Sequence, residues 1–495
     1  MSGESSLMVS DIIIQKKNEV YLNIDCEPHI KQELSEYFTF DVPDAKFMPQ
    51  YRNKLWDGKI RLFSPGTGEL YCGLLQHAKI FAEERGYKLE LKDNKFFGHP
   101  EFEDPDITPP KTIELLKEFD IKLEVRDYQY KAIYEALKKK RKLLLSPTGS
   151  GKSLMIYSVV RFLESNNHKT LILVPTTSLV EQIYKDFISY GWDAEKYCHK
   201  IYSGKEKITD ADVVISTWQS IYKLPKKYFD DFTAVIGDEA HLFKAKSLIS
   251  IMTKLHNAEY RIGFTGTLDG TKTNKLVLEG LFGPVQSVTK TDNLMRKGYL
   301  SHLKIKILLL KHEFRKFNTY QEEMDYIISH PKRNNLIKNL VRELDGNSLI
   351  LFSMVERHGQ VLYDLINNSV EGKKVFFVHG GIDVEERESI RQIAEEEDNA
   401  IIIASYGTFS TGINIKNLHN VIFASPSKSR VRNLQSIGRV LRVKSGKTHA
   451  TLYDIADDIS KNSQKNFTLK HLVERIKTYN EENFDYEIID VKIKS

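Results

Sequence analysis

LLLSPTGSGKSL, residues 143–154, is the most informative stretch of the chain about its fold. An apolar run typical of a buried strand ends at Leu145, a loop with two glycines follows, and a helix-forming run begins near Lys152. In this strand–loop–helix order, the backbone N–H groups of the loop and the helix N-terminus converge on phosphate oxygens. Gly149 and Gly151 permit the left-handed conformation that such a loop requires. The stretch therefore predicts a phosphate-binding loop in an α/β fold.

Each residue of this loop has an expected role in binding ATP. Lys152 would reach the β- and γ-phosphates, and the Ser153 hydroxyl would ligate Mg²⁺. Ser146 stands where the strict Walker pattern has glycine. The alternative is a glycine-rich turn with an incidental lysine. The residues expected to bind the nucleotide here are Pro147, Thr148, Gly149, Ser150, Gly151, Lys152 and Ser153.

A second motif, DFTAVIGDEAHLF at residues 231–243, follows some 85 residues later. An apolar strand ends at Gly237, and Asp238 and Glu239 come directly after it. Adjacent carboxylates at the end of a strand suit an aspartate that holds Mg²⁺ and a glutamate that activates water. A charged turn after a buried strand is the alternative, and only the combination with the phosphate loop argues against it.

Short apolar runs and helical stretches alternate through most of the chain. The runs KLLLS, TLILV, DVVIST, TAVIGD and RIGFTG come first, and SLILFS, KVFFVHG, AIIIAS, NVIFAS and ATLYDI follow from Asn347 onward. Continuous apolar strands between helices predict parallel sheets that are covered on both faces. The pattern therefore predicts two such domains, joined by a helical segment, MDYIISHPKRNNLIKNLVREL, with Pro331 inside it.

The first 91 residues show a different pattern, typical of a small α+β unit. Strand-like runs DIIIQ and EVYLNID precede a helix with Pro28 in its first turn. The acidic, proline-rich stretch GHPEFEDPDITPP favours an extended linker. We therefore expect an α+β domain at 1–91, a linker at 92–111, a first motor domain at 112–325 and a second at 326–495.

The bulk composition is that of an ordinary soluble globular protein of a reducing compartment, and its charge is compatible with nucleic-acid binding. The 495 residues carry a net charge of +5, which is compatible with nucleic acid but requires a local basic patch. Three widely separated cysteines argue against disulfides, zinc ribbons and iron–sulfur clusters. No apolar run reaches the length of a membrane span, and MSGESSLMVS lacks the features of a secretory signal.

Together, SPTGSGKS and GDEAH resemble the motifs of superfamily 2 helicases and translocases, and further motifs appear in the family's order. VRDYQ resembles the adenine-reading motif, through Arg126 and Gln129. The others are LVPTTSLVEQ (motif Ia), VVISTWQSI (Ib), GFTGT (III), LILFS (IV), ASYGTFSTGINI (V) and QSIGRVLR (VI). The resemblance covers roughly Val125 to Arg442. It implies two RecA-like motor domains that face each other across the nucleotide.

The resemblance also implies roles for residues of the second motor domain. Arg439 and Arg442 would be offered to the γ-phosphate, Gln435 would contact the same site, and motif V would contribute Gly412. Arg439 and Arg442 are three residues apart, so on one helix both would project from the same face. A solvated basic helix is the alternative reading of this spacing.

The sequences of motifs III and VI favour a member of the superfamily that acts on DNA. The sequences FTGT and GRVLR resemble the branch that contains XPB and the motor subunits of type III restriction enzymes. By family analogy Thr176, Gln182, Thr217 and Ser353 could contact backbone phosphates, but each could equally be a capping group.

An N-terminal stretch, KFMPQYRNKLWDGKIRLF at residues 46–63, interleaves cations with aromatic residues. Cations for phosphates and aromatic rings for base stacking predict a nucleic-acid surface. A half-buried strand pair with lysines on its solvated face is the alternative. The cations expected on DNA are Arg52, Lys54, Lys59 and Arg61, and the aromatic residues are Phe47, Tyr51, Trp56 and Phe63.

This N-terminal segment, with the linker and motor after it, resembles recombination helicases of T-even bacteriophages. The resemblance implies an ATP- and Mg²⁺-dependent, monomeric motor in the host cytoplasm. It would remodel replication forks, Holliday junctions and R-loops, including RNA–DNA hybrids, in recombination, repair and replication. An RNA helicase and a passive junction-binding protein with a silenced motor remain as alternatives.

Overall fold

The computed structural model describes residues 10–43, 45–411, 415, 417–427, 429–442, 447–461 and 464–493, without the side chains of residues 384, 410, 411, 430 and 431. The chain divides into two compact units. The first comprises Met1–Ser146 and Gly151–Val288, and the second comprises Pro147–Ser150 and Thr289–Ser495. Each unit is described by itself.

The first unit begins with a small α+β domain. Its described part contains a five-stranded mixed sheet in the order β5-β6-β2-β1-β7 and a two-stranded ribbon, β3-β4. The elements are β1 Ile12–Lys16, β2 Tyr21–Cys26, α1 Pro28–Tyr37, β3 Thr39–Asp41, α2 Pro49–Arg52, β4 Lys59–Arg61, β5 Phe63–Ser64, β6 Glu69–Tyr71, α3 Leu75–Arg85 and β7 Leu89–Lys92. As predicted, Pro28 is the first residue of its helix.

The first motor domain is built on a parallel sheet. Seven strands in its described residues follow the order β10-β11-β9-β12-β13-β8-β14. The elements are α4 Pro109–Glu118, α5 Asp127–Lys139, β8 Arg141–Leu145, α6 Lys152–Ser165, β9 Thr170–Val174, α7 Thr177–Ser189, α8 Ala194–Tyr197, β10 Cys198–Ile201, β11 Val213–Thr217, α9 Trp218–Ile221, α10 Lys226–Phe229, β12 Ala234–Asp238, α11 Lys246–Lys254, β13 Tyr260–Thr265, α12 Lys272–Leu281 and β14 Val285–Ser287.

The second unit contains another parallel sheet of the same kind. In the part of it that the structure describes, seven strands follow the order β17-β18-β16-β19-β20-β15-β21. The elements are α13 Thr291–Arg296, β15 His302–Lys311, α14 Tyr320–Ser329, α15 Pro331–Glu343, β16 Ser348–Phe352, α16 Gln360–Asn367, β17 Val375–Val378, α17 Val384–Glu396, β18 Ile401–Ser405, α18 Tyr406–Thr411, β19 Asn420–Phe423, α19 Arg430–Val440, β20 His449–Asp458, α20 Phe467–Glu481 and β21 Tyr486–Lys492.

These elements confirm the predicted fold class of two RecA-like parallel sheets behind a small α+β domain. The continuous apolar runs became strands because both faces of each sheet are covered. Two details differ from expectation. Pro331 does not lie within one helix; it begins α15, because proline disfavours helical backbone at the preceding residue, His330. Strand β15 joins the second sheet, although it precedes residue 326. We therefore propose that the second motor domain begins before β15.

The small domain packs closely on the first motor domain. The Glu19 carboxylate accepts a hydrogen bond from Arg141 Nη2 at 2.6 Å, and both side chains are largely buried. A Cβ at Gly73 would lie 1.8 Å from the backbone oxygen of Glu279, so only glycine allows this approach. The two domains also share one apolar core. We infer that the α+β domain moves together with the first motor domain.

Candidate nucleotide and nucleic-acid sites

The predicted phosphate loop joins β8 to α6, as the sequence pattern requires. Ser146 donates its backbone N–H to the Thr265 oxygen of neighbouring strand β13 at 2.8 Å, which fixes the start of the loop. Gly149 and Gly151 have φ values of +86° and +80°. Both are in the left-handed region, which glycine adopts without strain. At these positions the backbone therefore has the conformation expected of a phosphate cradle.

Lys152 lies between the carboxylate of Asp238, the last residue of β12, and that of Glu239, the next residue. Its Nζ is 2.6 Å from Asp238 Oδ1 and 3.0 Å from Glu239 Oε1. Burial alone would lower the pKa of Lys152, but the two carboxylates outweigh it and raise that pKa above its ordinary value. The lysine is therefore firmly charged. The structure brings together the three residues that we predicted from two motifs far apart in sequence.

Glu239 is held in an unusual backbone conformation. Its φ is +52°, which non-glycine residues seldom adopt, and such outliers gather at functional sites. Beside it, His241 Nδ1 lies 2.9 Å from Thr265 Oγ1 and 3.4 Å from Glu239 Oε2. Burial lowers the pKa of His241, which favours the neutral ring. His241 thus connects the acidic pair to the end of β13, a contact that we did not predict.

The Ser153 hydroxyl has one close side-chain neighbour that the sequence pattern did not reveal. Its Oγ lies 2.7 Å from the hydroxyl of Tyr190, just beyond the end of α7. Tyr190 is buried, and its ring packs edge-on against Tyr157 of α6. Because Tyr190 is fixed by this packing, its hydroxyl holds Ser153 in one orientation.

The predicted adenine-reading motif lies at the start of α5. Gln129 is buried; its Oε1 accepts the backbone N–H of Arg126 at 2.8 Å, and its Nε2 lies 3.5 Å from the Gly151 oxygen. Arg126 Nη1 donates to the Tyr128 hydroxyl at 2.8 Å. Gln129 therefore connects this motif to the last residue of the phosphate loop.

In the second unit, helix α19 carries Gln435 and Arg439, both half-buried. Arg439 lies over the ring of Phe409, 5.8 Å from its centroid. Arg442 departs from the prediction, because α19 ends at Val440 and Arg442 instead forms an antiparallel bridge with Leu300. The two arginines therefore do not share one helix face. Gly412, the predicted contribution of motif V, lies outside the described residues.

The residues of the motor domains that were predicted to contact DNA differ in exposure and in hydrogen-bond partners. Thr176 caps α7, with its Oγ1 accepting the Leu179 N–H at 3.3 Å. Thr217 is buried and lies 2.8 Å from the Ser220 hydroxyl. Gln182 and Ser353 are exposed. Thr176 thus has the capping contact that was the alternative reading, while the DNA-binding roles stay predictions.

The N-terminal basic stretch forms an exposed surface around α2 and β4. Its four predicted cations are all exposed: Arg52, Lys54, Lys59 and Arg61. Arg61 is paired with Asp57, and this hydrogen bond lowers the pKa of Asp57 to about 2. Phe47 and Leu55 are 60% and 78% exposed, whereas Phe63 is only 2% exposed. The prediction that Phe63 stacks on bases was wrong, because that ring belongs to the core.

A phosphate loop and an Asp–Glu pair on one parallel sheet, with an arginine-bearing helix on another, define a superfamily 2 helicase motor. Family models match the chain in three parts: "DNA helicase UvsW, N-terminal" over residues 11–92, "Type III restriction enzyme, res subunit" over 122–270 and "Helicase conserved C-terminal domain" over 331–444. The ATP-dependent DNA helicase uvsW of Enterobacteria phage T4 is 36% identical over 98% of this chain and 100% of its own. The chain belongs to the UvsW family of helicases.

A solved structure and a further helicase sequence are also similar to this chain. The crystal structure of T4 UvsW has 34% identity, covers 97% of this chain and 99% of its own, and gives a TM-score of 0.52. The DNA 3'-5' translocase XPB2 of Sulfurisphaera tokodaii is 25% identical over 71% of this chain and 85% of its own. None of the described helices is long and apolar enough to cross a membrane.

Proposed function

We propose that this chain is an ATP-driven, Mg²⁺-dependent DNA helicase that remodels branched DNA: forks, Holliday junctions and R-loops. The observation that supports this most directly is Lys152 held between Asp238 and Glu239 at the end of a central parallel strand. Ligands of open α/β sheets bind at this edge, outside the carboxyl ends of the strands. An intact catalytic set argues against a passive junction-binding protein.

The residues present fit ATP accompanied by Mg²⁺. The left-handed backbone at Gly149 and Gly151 is the conformation in which successive amide groups of such a loop can form an anion-binding concavity. Ser153 and Asp238 offer hydroxyl and carboxylate oxygens, which are the ligands that Mg²⁺ prefers, with phosphate oxygens and water completing its shell. When bound, the ion neutralises charge on the β- and γ-phosphates. The Tyr190 hydroxyl would accept a hydrogen bond from the Ser153 hydroxyl, which would leave a Ser153 lone pair available to the ion.

Hydrolysis can be assigned to residues of the chain itself. The Lys152 ammonium would leave its carboxylate partners for the phosphates, which frees Asp238 for the ion and Glu239 for the attacking water. The Glu239 carboxylate would take a proton from that water as the water oxygen bonds to the γ-phosphorus. The bond from the γ-phosphorus to the oxygen that bridges it to the β-phosphate would break, so that ADP and phosphate leave. We assign Arg439 and Arg442 to the charge that develops on the γ-phosphate, and Gln435 to the same site, as the family resemblance implies.

DNA specificity would come from the family's N-terminal domain. Its exposed cations Arg52, Lys54 and Lys59 suit duplex phosphates, and the exposed Phe47 and Leu55 suit unpaired bases at a branch. Because the domain packs on the ATP-binding domain through the buried pair of Glu19 and Arg141, it would move with that domain. We propose that the motor acts as a monomer in the cytoplasm of the host cell.

The test is to measure steady-state ATPase of the purified chain with forked DNA, a four-way junction, an RNA–DNA hybrid, linear duplex and structured RNA. We expect the branched DNA substrates to stimulate hydrolysis most, and Lys152→Ala to abolish the activity on all of them. Stimulation mainly by structured RNA would replace the proposal with an RNA helicase. Binding of junctions without any ATP hydrolysis would replace it with a passive junction-binding protein.

A further inference from the structure

The second unit contains a basic groove that no motif assigns. It lies beyond the carboxyl ends of β15 and β20, with a volume of about 420 Å³. One wall is the segment that follows β15, and the other is the start of α20 with the residues just before it. Six lining side chains define the basic groove: Phe314, Arg315, Lys316, Lys465, Phe467 and Lys470.

The cations of the basic groove have no acidic partner in the described part of the chain. Arg315, Lys316, Lys465 and Lys470 are exposed, and none of them forms an ion pair with a described acidic residue. Lys311, at the end of β15, differs because it pairs with Asp458 at 2.7 Å. Uncompensated cations on one concave surface attract a polyanion, and such clusters are the electrostatic footprint of nucleic-acid binding.

One acid, Glu323, also lines the groove, but its side chain is fully buried and hydrogen-bonded within the wall. Its carboxylate accepts hydrogen bonds from Asn466 Nδ2, the Phe467 and Thr468 backbone N–H groups and the Thr468 hydroxyl, at 2.6 to 2.8 Å. Glu323 therefore accepts the hydrogen bonds of the backbone N–H groups in the first turn of α20, and these bonds fix that wall of the groove. The free charge that faces solvent comes from the lysines and the arginine.

Aromatic rings accompany these cations. Phe314 is 50% exposed, with Lys461 Nζ 5.5 Å from its ring centroid. Lys470 Nζ lies 5.7 Å from the centroid of Phe467, and the Arg315 guanidinium lies 5.8 Å from that of Phe317. A large exposed ring beside phosphate-binding cations is the combination with which proteins bind single strands, because every base has a face that can stack.

The position of the groove fits a nucleic-acid path. All strands of the second sheet are parallel, so their carboxyl ends lie at one edge. The groove lies at the edge where Ser353 follows β16, and ligands of such sheets bind there. Its volume is that of a pocket for a nucleotide-sized ligand, in the range of about 300–1,000 Å³.

From these observations we infer that the basic groove binds single-stranded DNA, with its cations on the phosphates and Phe314 against a base. The inference rests on the proposed DNA helicase function and extends it to a strand contact in the second motor domain. The strand would be the one that is unpaired while the enzyme works at a branch.

The experiment compares two triple variants of the full chain. Lys316→Ala/Lys465→Ala/Lys470→Ala removes three charges from the groove. The control, Lys304→Ala/Lys374→Ala/Lys477→Ala, removes three from elsewhere in the same unit, where each lysine is paired with a glutamate. Binding of fluorescent oligo-dT is measured by anisotropy from low to high salt. The groove variant should flatten the log–log salt slope by about 2, from roughly 0.7 per phosphate contact on a single strand, and the control should not.

Two further variants keep the test decisive if the alanine variant folds poorly. Replacing the same three lysines by arginine should preserve the slope, because each charge remains. Phe314→Ala should weaken oligo-dT binding about 5- to 150-fold, the factor that one base–aromatic stack supplies. A groove variant whose slope and affinity equal those of the control overturns the inference. Binding of fluorescent poly-glutamate is measured in the same way. A groove variant that loses poly-glutamate binding but binds oligo-dT as the control does also overturns the inference, in favour of an acidic protein partner.

The wild-type ATPase separates this inference from the proposed function. If DNA does not stimulate the wild-type enzyme, the proposed function itself fails. If DNA stimulates it while the groove and control variants bind oligo-dT alike, only the groove assignment is wrong.

Discussion

Replacing Glu239 by glutamine should separate ATP binding from ATP hydrolysis. The amide oxygen keeps an acceptor for Lys152, whose Nζ is 3.0 Å from Glu239 Oε1, and Asp238 Oδ1 remains at 2.6 Å. Lys152 thus keeps both neighbours, and ATP affinity should change by less than about threefold, since no phosphate contact is lost. An amide cannot take the proton of water, so turnover should fall by about 10²–10⁴-fold. At about 1.36 kcal/mol per decade, the barrier rises by about 2.7–5.4 kcal/mol.

The assay combines two measurements on the same preparations. Equilibrium binding of a fluorescent ATP analogue gives affinity, and single-turnover hydrolysis with forked DNA gives the chemical rate. Glu181→Gln is a matched control, because Glu181 also pairs with a lysine of the first motor domain, Lys200 at 2.9 Å, away from the loop. It should leave both quantities unchanged. A loss of turnover below tenfold in Glu239→Gln would show that another group is the base. Loss of ATP binding instead would assign Glu239 to holding Lys152.

Three further predictions concern residues around this centre. Tyr190→Phe should raise the Mg²⁺ concentration needed for half-maximal nucleotide binding severalfold, while binding without Mg²⁺ stays the same; an equal loss in both conditions would make Tyr190 merely structural. Arg442→Lys should bind ATP normally but restore little DNA-stimulated turnover, because lysine lacks the planar fork of donors, and normal junction unwinding by this variant would refute the assignment. Glu19→Gln should destabilise the first unit by about 3–5 kcal/mol in urea denaturation at pH 7, since it leaves Arg141 buried without its acid. Burial alone would raise the pKa of Glu19, but the charges of Arg141 and Lys16 outweigh burial and leave that pKa below its ordinary value. The stabilisation is therefore present above about pH 4.5 and disappears as the pH falls through the folded-state pKa of Glu19. A difference in stability that does not depend on pH would contradict this prediction.

The central strands could be predicted from the sequence, and several edge strands could not. The strands β8, β9 and β12 are covered on both faces, and each therefore contains a run of consecutive apolar residues. By contrast β10 and β14, with the sequences CHKI and VQS, lie at the edges of their sheet and are short and partly polar. Edge strands have one unpaired side and need less apolar sequence, so the pattern that identifies buried strands does not reach them.

Some residues of the candidate site could likewise be predicted from the sequence, and others could not. Lys152, Asp238 and Glu239 were predictable because each lies in a local motif with a known chemical reason. Tyr190 was not, because it is 37 residues from Ser153 and only the fold brings the two hydroxyls together. Phe63 was assigned to the surface by its place in a basic stretch, although it begins β5 and its ring is buried in the core.

Junction processing by the intact enzyme is the decisive measurement for the proposed function. A labelled four-way junction is incubated with wild-type enzyme or Lys152→Ala, with ATP or a non-hydrolysable analogue, and the products are separated on a native gel. We predict that only wild type with ATP converts the junction to products, while Lys152→Ala still binds it. Conversion without hydrolysable ATP, or vigorous ATP hydrolysis by wild type that leaves the junction intact, would contradict the proposed function.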